Sequence, residues 1–322
     1  MRILSGMQPS GIAHLGNYLG AMRQHIERTK NEQNECFYFL ANYHALTTVK
    51  DKKKLEEMTL NLAMDYIALG IDNDNTAFFK QSDVPEHTEL CWIFNCITHM
   101  GFLERAHAWK DAKEKGKKEM SAGLFIYPIL QAADILIYKP NLVPVGQDQK
   151  QHIEMSRDIA EKFNQTWGET FPLPEPLIEK SVAVVPGTDG EKMSKSYGNT
   201  IEMFAEEKVL KSQVMTIKTD STPLESPKNP DTCNVFKLYK LLATESEIKL
   251  MRENYLKGGY GYGHAKTTLF EKILEYFQDA REKRKKLENN KNYVEEVLKK
   301  GALKARKVAE QTIKEVREKC GL

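Results

Sequence analysis

The chain has 322 residues, 41% of them hydrophobic and 29% charged, and a formal net charge of +2. That length suits one large domain with a smaller one beside it, and the composition is that of a globular protein rather than a fibrous or disordered one. No run approaches the ~18 apolar residues of a membrane span, and the N-terminus lacks the apolar core of a secretory signal, so a cytoplasmic protein with no membrane partner is expected.

Short apolar runs at residues 2–5, 36–41 and 76–80 have the character of buried parallel strands. Helical patterns separate them over residues 18–30, 53–69 (closed by Gly70 as a C-cap) and 86–96. This alternation predicts an α/β fold, a Rossmann-like doubly wound parallel sheet with ligands beyond the carboxyl ends of its strands. Residues 113–119 read as an exposed loop, and a Pro-rich segment at 171–176 precedes a further strand at 181–185. After residue 200 strand signals vanish and amphipathic helices follow, among them 293–300 and 302–319. The run Gly258-Gly259-Tyr260-Gly261-Tyr262-Gly263 reads as a flexible break. The expected division is therefore a catalytic domain over residues 1–200 and an all-helical C-terminal domain over 201–322. Residues 281–322 hold 14 Lys and Arg against 7 Asp and Glu, an excess of +7 that leaves −5 for residues 1–280, and such a basic segment raises the odds of a polyanionic partner. The five cysteines form no Cys-x-x-Cys pair, so no metal or cluster site is indicated, and Cys36, Cys91 and Cys96 read as buried thiols.

Two segments carry chemistry. After the first strand comes Gln8-Pro9-Ser10-Gly11-Ile12-Ala13-His14-Leu15-Gly16-Asn17, which turns sharply and starts a helix near Gly16 and Asn17. Unpaired N–H groups at a helix start suit a phosphate, and Gly16 permits close approach of a nucleotide. His14 can donate a hydrogen bond to an α-phosphate as charge develops there, although a surface histidine beside an ordinary turn would read the same. The second segment, Lys192-Met193-Ser194-Lys195-Ser196, is more specific. Lys192 and Lys195 can reach the β- and γ-phosphates of ATP with Mg2+ and stabilise departing pyrophosphate, while Ser194 and Ser196 add hydroxyl donors. Gly187, Gly190 and Gly198 would let the loop close.

These two motifs together resemble the "HIGH" and KMSKS signatures of class I aminoacyl-tRNA synthetases. Within that class, Gly6–Gly11 is similar to the GxQPSG opening of bacterial tryptophanyl-tRNA synthetases, Val143–His152 to their VPVGxDQxQH segment, and Ala132–Leu136 to their AADIL motif. The resemblance implies tryptophan activation with ATP and Mg2+ and transfer to tRNA(Trp), with no permanent cofactor and no protein-held metal, by a homodimer. It implies that Asp134 accepts the indole N–H and that His44 lines the pocket, although a core histidine or an exposed aspartate are the plainer alternatives. Gln8 and Gln149 would hold the ammonium or carboxylate of the amino acid. Pro9, Ser10, Gly16, Asn17 and Met193 would fall in the ATP site. There Gly146, Gln147 and Asp148 would contact ribose and adenine, and Val184 adenine through its backbone.

Gln131 departs from the pattern, because bacterial tryptophanyl enzymes usually carry Met there. Its spacing to Asp134 resembles the Gln-x-x-Asp of tyrosyl-tRNA synthetases, but those place a tyrosine on the first strand to meet the phenol. Leu4 and Met7 stand in that region here and cannot replace a hydroxyl. A tyrosyl enzyme, a small nucleotidyltransferase and a non-catalytic paralogue are the remaining alternatives. In the family the helical domain binds the anticodon, and the clusters Lys283-Arg284-Lys285-Lys286 and Lys304-Ala305-Arg306-Lys307 are the candidates to meet phosphates.

Overall fold

The computed structural model describes residues 1–71, 74–114, 116, 120–146, 149–178 and 185–322. Five described strands form one parallel sheet: β1 (Arg2–Met7), β2 (Glu35–Leu40), β3 (Thr76–Lys80), β4 (Leu142–Val145) and β5 (Glu175–Ile178), in the order β3-β2-β1-β4-β5. The order reverses direction at β1, so the crevice beside its carboxyl end is the expected ligand position. β4 and β5 contain Pro144 and Pro176, which weaken any strand signal in the sequence because proline cannot donate to a ladder. Next to Pro144 the Ser5 hydroxyl donates to the Pro144 carbonyl at 3.2 Å. Of the expected strand at 181–185, residues 181–184 lie outside the described residues, and Val185 is not in a strand.

Helix Lys52–Leu69 starts where the Asp51 carboxylate accepts the Lys54 N–H at 2.7 Å and ends at Gly70 with φ +100°, as its terminal residues dictate. The helix expected over 18–30 is broken into Leu15–Asn17, a π-helical turn Tyr18–Met22 and Arg23–Thr29. Cys96, expected in the core, is exposed.

Two compact units emerge, and their boundary differs from the expected one at 200. One unit comprises residues 1–11, 25–179 and 290–322; the other comprises 12–24 and 180–289. The first holds the sheet. Phe37, Phe39, Phe79, Tyr138, Phe163 and Phe171 fill its core with Ala302, Ala305, Ala309, Ile313 and Val316. Each large apolar side chain buried there contributes about 1.5–3 kcal/mol. The last five belong to the C-terminal helix Lys291–Cys320, which is continuous through Gly301 rather than split there. A Cβ on Gly301 would lie 1.9 Å from the Phe78 carbonyl oxygen. Gly301 with Ala302, Ala305 and Ala309 makes a small-residue stripe that lets this helix lie directly against edge strand β3. Arg306 pairs with Glu86 at 2.7 Å and Arg317 with Glu89 at 2.6 Å. The terminal helix thus belongs to the sheet unit, because its apolar stripe is buried only there.

The second unit is helical, with helices Glu207–Met215, Asn234–Tyr239, Glu245–Lys257, Tyr262–Tyr276 and Gln278–Glu288. Arg281, 9% exposed, donates to the carbonyls of Met203 and Ala205 at 2.5 and 2.8 Å. The Gly/Tyr run is packed rather than loose: the Gly259 N–H donates to Leu224 O at 2.9 Å, and the Tyr262 hydroxyl to Asp220 at 2.7 Å.

Candidate active site

In the helical unit the two signature segments touch. His14 is 5% exposed and caps the turn whose Asn17 side chain accepts the His14 N–H at 3.2 Å. The Gly16 N–H donates to the Met193 sulfur at 3.3 Å, and a Cβ on Gly16 would come within 3.0 Å of the His14 ring and 3.3 Å of Met193 Cβ. Met193, 4% exposed, is therefore the apolar pin of the lysine loop, and the absence of a Cβ at Gly16 relieves a tight contact above it. Burial, with the nearby Lys195 charge added, lowers the His14 pKa to about 4. The ring is neutral at pH 7, and its buried Nδ1 has no hydrogen-bond partner among the described residues. A neutral imidazole offers a hydrogen bond without adding a charge.

Asn199 shapes the lysine loop. It is 2% exposed; its Oδ1 accepts the Ser194 N–H at 2.7 Å, and its Nδ2 donates to Asp189 Oδ1 at 2.8 Å and Lys192 O at 3.2 Å. Gly187 lies against this amide, where a Cβ would fall 2.3 Å from Nδ2, and Gly190 and Gly198 have φ of +94° and +65°. The three glycines thus serve close packing and left-handed turns. Lys192, Lys195 and Ser196 are exposed, and the Ser194 and Ser196 hydroxyls are 3.1 Å apart. Two ammonium groups thus stand on a fixed turn in the unit that also holds the neutral His14 imidazole, an arrangement with the chemistry to accept a polyphosphate.

In the sheet unit, several of the residues of interest follow the carboxyl ends of the strands: Gln8 after β1, His44 after β2, Gln81 after β3, and Gly146 and Gln149 after β4. Gln8 and Ser10 are exposed and Pro9 is buried. Gln131 Nε2 donates to Gln149 Oε1 at 3.5 Å. Gln147, Asp148 and Val184 lie outside the described residues. Asp134, on helix Ala122–Leu136, is 0% exposed, which removes the exposed-aspartate alternative. Its Oδ1 accepts from Gln81 Nε2 at 2.7 Å and His87 Nδ1 at 2.5 Å; its Oδ2 accepts from Gln81 Nε2 at 2.9 Å and His44 Nε2 at 2.8 Å. Burial pushes this carboxyl up, but the hydrogen bonds from His44 and His87 outweigh it and hold the pKa at about 2. Both carboxylate oxygens thus accept hydrogen bonds from the protein's own side chains. His44, with 13% of its side chain exposed, is the most open of its partners.

His87, Gln81 and Tyr138 were missed in the sequence. Gln81 directly follows β3, and the carboxyl-end rule applied to that strand would have found it. His87, in the first turn of helix Glu86–Ile97, carried no motif. Of the terminal basic cluster, Lys304 donates to Asp74 O at 2.7 Å and Arg306 pairs with Glu86, so both serve the fold. Among the described residues no group of three or more His, Cys, Asp or Glu side chains is placed to hold a metal ion.

Comparison with known proteins matches residues 1–278 to the family described as tRNA synthetases class I (W and Y). A tryptophan–tRNA ligase of Fusobacterium nucleatum is 54% identical over 322 residues, covering 100% of this chain and 98% of that protein. The crystal structure of tryptophanyl-tRNA synthetase from Campylobacter jejuni complexed with ADP and tryptophan superposes with a TM-score of 0.94 at 50% identity, covering 100% of each chain. A tyrosyl-tRNA synthetase of Archaeoglobus fulgidus complexed with L-tyrosine shares the fold, with a TM-score of 0.66 at 19% identity over 88% of this chain and 90% of that one. A likeness to the tryptophan enzymes that holds over the whole chain, with both signature segments intact, decides the matter: the chain belongs to the class I aminoacyl-tRNA synthetases, as a member of their bacterial-type tryptophanyl family.

Proposed function

We infer that this chain is a tryptophan–tRNA ligase, activating L-tryptophan with ATP and passing it to tRNA(Trp). The observation that carries this reading is the buried, ionised Asp134 at the carboxyl ends of the strands, a hydrogen-bond acceptor suited to an indole N–H. His44 yields its place on Oδ2 to the indole, and Gln131, Gln149 and Gln8 meet the amino acid's polar groups. The carboxylate of tryptophan attacks the α-phosphorus in line, the bond to the β-phosphate oxygen breaks, and pyrophosphate leaves. A terminal ribose hydroxyl of the tRNA then attacks the acyl carbonyl, and AMP departs. No side chain forms a covalent bond; catalysis is orientation and preorganised charge. Lys192 and Lys195 neutralise the β- and γ-phosphates, Ser194 and Ser196 donate to them, and neutral His14 donates to the α-phosphate. Gly16 and Asn17 supply one nucleotide turn and Pro9 and Ser10 another, and the family likeness gives ribose and adenine to Gly146, Gln147, Asp148 and Val184. Mg2+ enters with the triphosphate and supplies further charge neutralisation.

Lys285 and Lys286 are exposed on helix Gln278–Glu288 and suit tRNA phosphates. A homodimer is part of the same reading. Trp92 on helix Glu86–Ile97 and Met100 on the next helix are 71% and 66% exposed, which suits an association surface. Among the described residues no helix is long and apolar enough to cross a membrane; a cytoplasmic location goes with these substrates. The test is ATP–pyrophosphate exchange with each amino acid in turn. Exchange with tryptophan alone is expected; exchange with tyrosine would show that Gln131 and Asp134 grip a phenol instead.

A further inference from the structure

We propose that His87, fixed by Tyr138, is the positioning residue that aims Asp134 at the indole, and so determines how strongly the enzyme demands an N–H on its amino acid. The proposal rests on the reading of Asp134 as the indole acceptor.

His87 is 0% exposed and enclosed by the rings of Phe39, Phe79 and Tyr138, at centroid distances of 5.9, 6.3 and 5.5 Å. Both ring nitrogens are nevertheless used: Nδ1 meets Asp134 Oδ1 at 2.5 Å, and Nε2 meets the Tyr138 hydroxyl at 2.7 Å. An ionised carboxylate only accepts, so Nδ1 carries a proton and donates to Asp134, while Nε2 is hydrogen-bonded to the Tyr138 hydroxyl. A chain of hydrogen bonds links Tyr138, His87 and Asp134, and each group is fully buried. Gln81 completes the clamp. Its Oε1 accepts the Tyr43 N–H at 3.0 Å, which turns its Nε2 toward both carboxylate oxygens.

The two sides of the carboxylate therefore differ. Oδ1 is bonded only by groups with no exposed surface, whereas Oδ2 is bonded by Gln81 and by the more open His44. With Oδ1 locked, the plane of the carboxylate is set and the exchangeable lone pair on Oδ2 points where His44 now sits. Were Oδ1 released, the carboxylate could rotate about its Cβ–Cγ bond and the N–H requirement would relax.

The experiment compares L-tryptophan with 3-benzothienyl-L-alanine, which has sulfur where indole has N–H, in ATP–pyrophosphate exchange by the full chain. Two substitutions at one position separate alignment from packing. In His87→Asn the amide occupies the Nδ1 position and still donates to Asp134. In His87→Gln it reaches the Nε2 position and meets Tyr138 instead. The tryptophan-to-analogue ratio of kcat/KM is expected to fall about tenfold or more in His87→Gln and to stay within about threefold of the parent in His87→Asn, with KM for ATP unchanged in both. Equal ratios in the two variants, or a loss shared by both amino acids at constant ratio, would make His87 a packing residue and overturn the proposal. Asp134→Asn is the separate control: a ratio that does not move there overturns the indole-acceptor reading itself.

Discussion

Gly16 and Asp134 show how differently single residues can be read. Gly16 was singled out for close approach of a nucleotide, and in the structure the same bare Cα also admits the His14 ring and Met193. Asp134 matched a motif, but its low pKa comes from His87 and His44, 47 and 90 positions away in sequence. The histidines lead to a prediction at this scale. His25 is buried, stacked on Tyr38 at 4.6 Å and bonded to the Tyr66 hydroxyl at 2.9 Å; burial, with the Arg28 charge added, lowers its pKa from 6.5 to about 3. The unfolded chain therefore takes up a proton first as the pH falls. The associated stability is fully present above pH 6.5 and is lost as the pH drops from there toward 3, with His14 acting over part of the same window. In urea titrations from pH 7 to 4, the His25→Gln variant is expected to lose less stability than the parent. Parallel profiles would contradict this account.

Among the elements, the lysine loop depends on the Asn199 amide together with the glycines beside it. The pentapeptide Lys192–Ser196 announces polyphosphate chemistry in the sequence, whereas its geometry comes from a side chain three residues beyond it. Asn199→Ala frees the Ser194 N–H and Lys192 carbonyl from that amide, and KM for ATP is expected to rise about tenfold while KM for tryptophan holds. Asn199→Asp sets a carboxylate against Asp189 and should do worse. Joining it to Asp189→Asn reverses the hydrogen bond, and a coupling of about 0.5–3 kcal/mol should restore part of the ATP affinity. Additive losses in the double variant would show that the Asn199–Asp189 contact does not support the loop. Strands β1, β2 and β3 were legible in the sequence because all are apolar runs in a buried parallel sheet. β4 and β5 were obscured by proline, and the helix expected at residue 18 conceals a π-helical turn that depends on packing.

For the whole molecule, the ordering of the chain into two units departs most from a linear reading. The terminal helix looks like its basic, amphipathic predecessors, so composition groups it with them. Its small-residue stripe, however, fits the backbone of β3 and closes an otherwise open sheet edge. Gly301→Val forces a side chain into the Phe78 carbonyl; overpacking of this kind costs about 1–3 kcal/mol or more, with the helix displaced from β3. A lowered melting temperature and faster amide exchange in β3 are expected. An unchanged melting temperature would mean that the helix adapts and that the stripe is incidental.

Local pattern was sufficient for the α/β class and, through ordered motifs, for the tryptophanyl family. Those features depend on residues close together in the chain: alternating strand and helix periods, a turn before a helix, paired lysines in one loop. Tertiary structure alone decided that Asp134 is held by His87, Gln81 and His44, that Asn199 shapes the lysine loop, and that the last helix belongs with the sheet. Each of these depends on burial and on partners brought together by folding, where desolvation makes an unpaired polar group costly and a missing Cβ decisive.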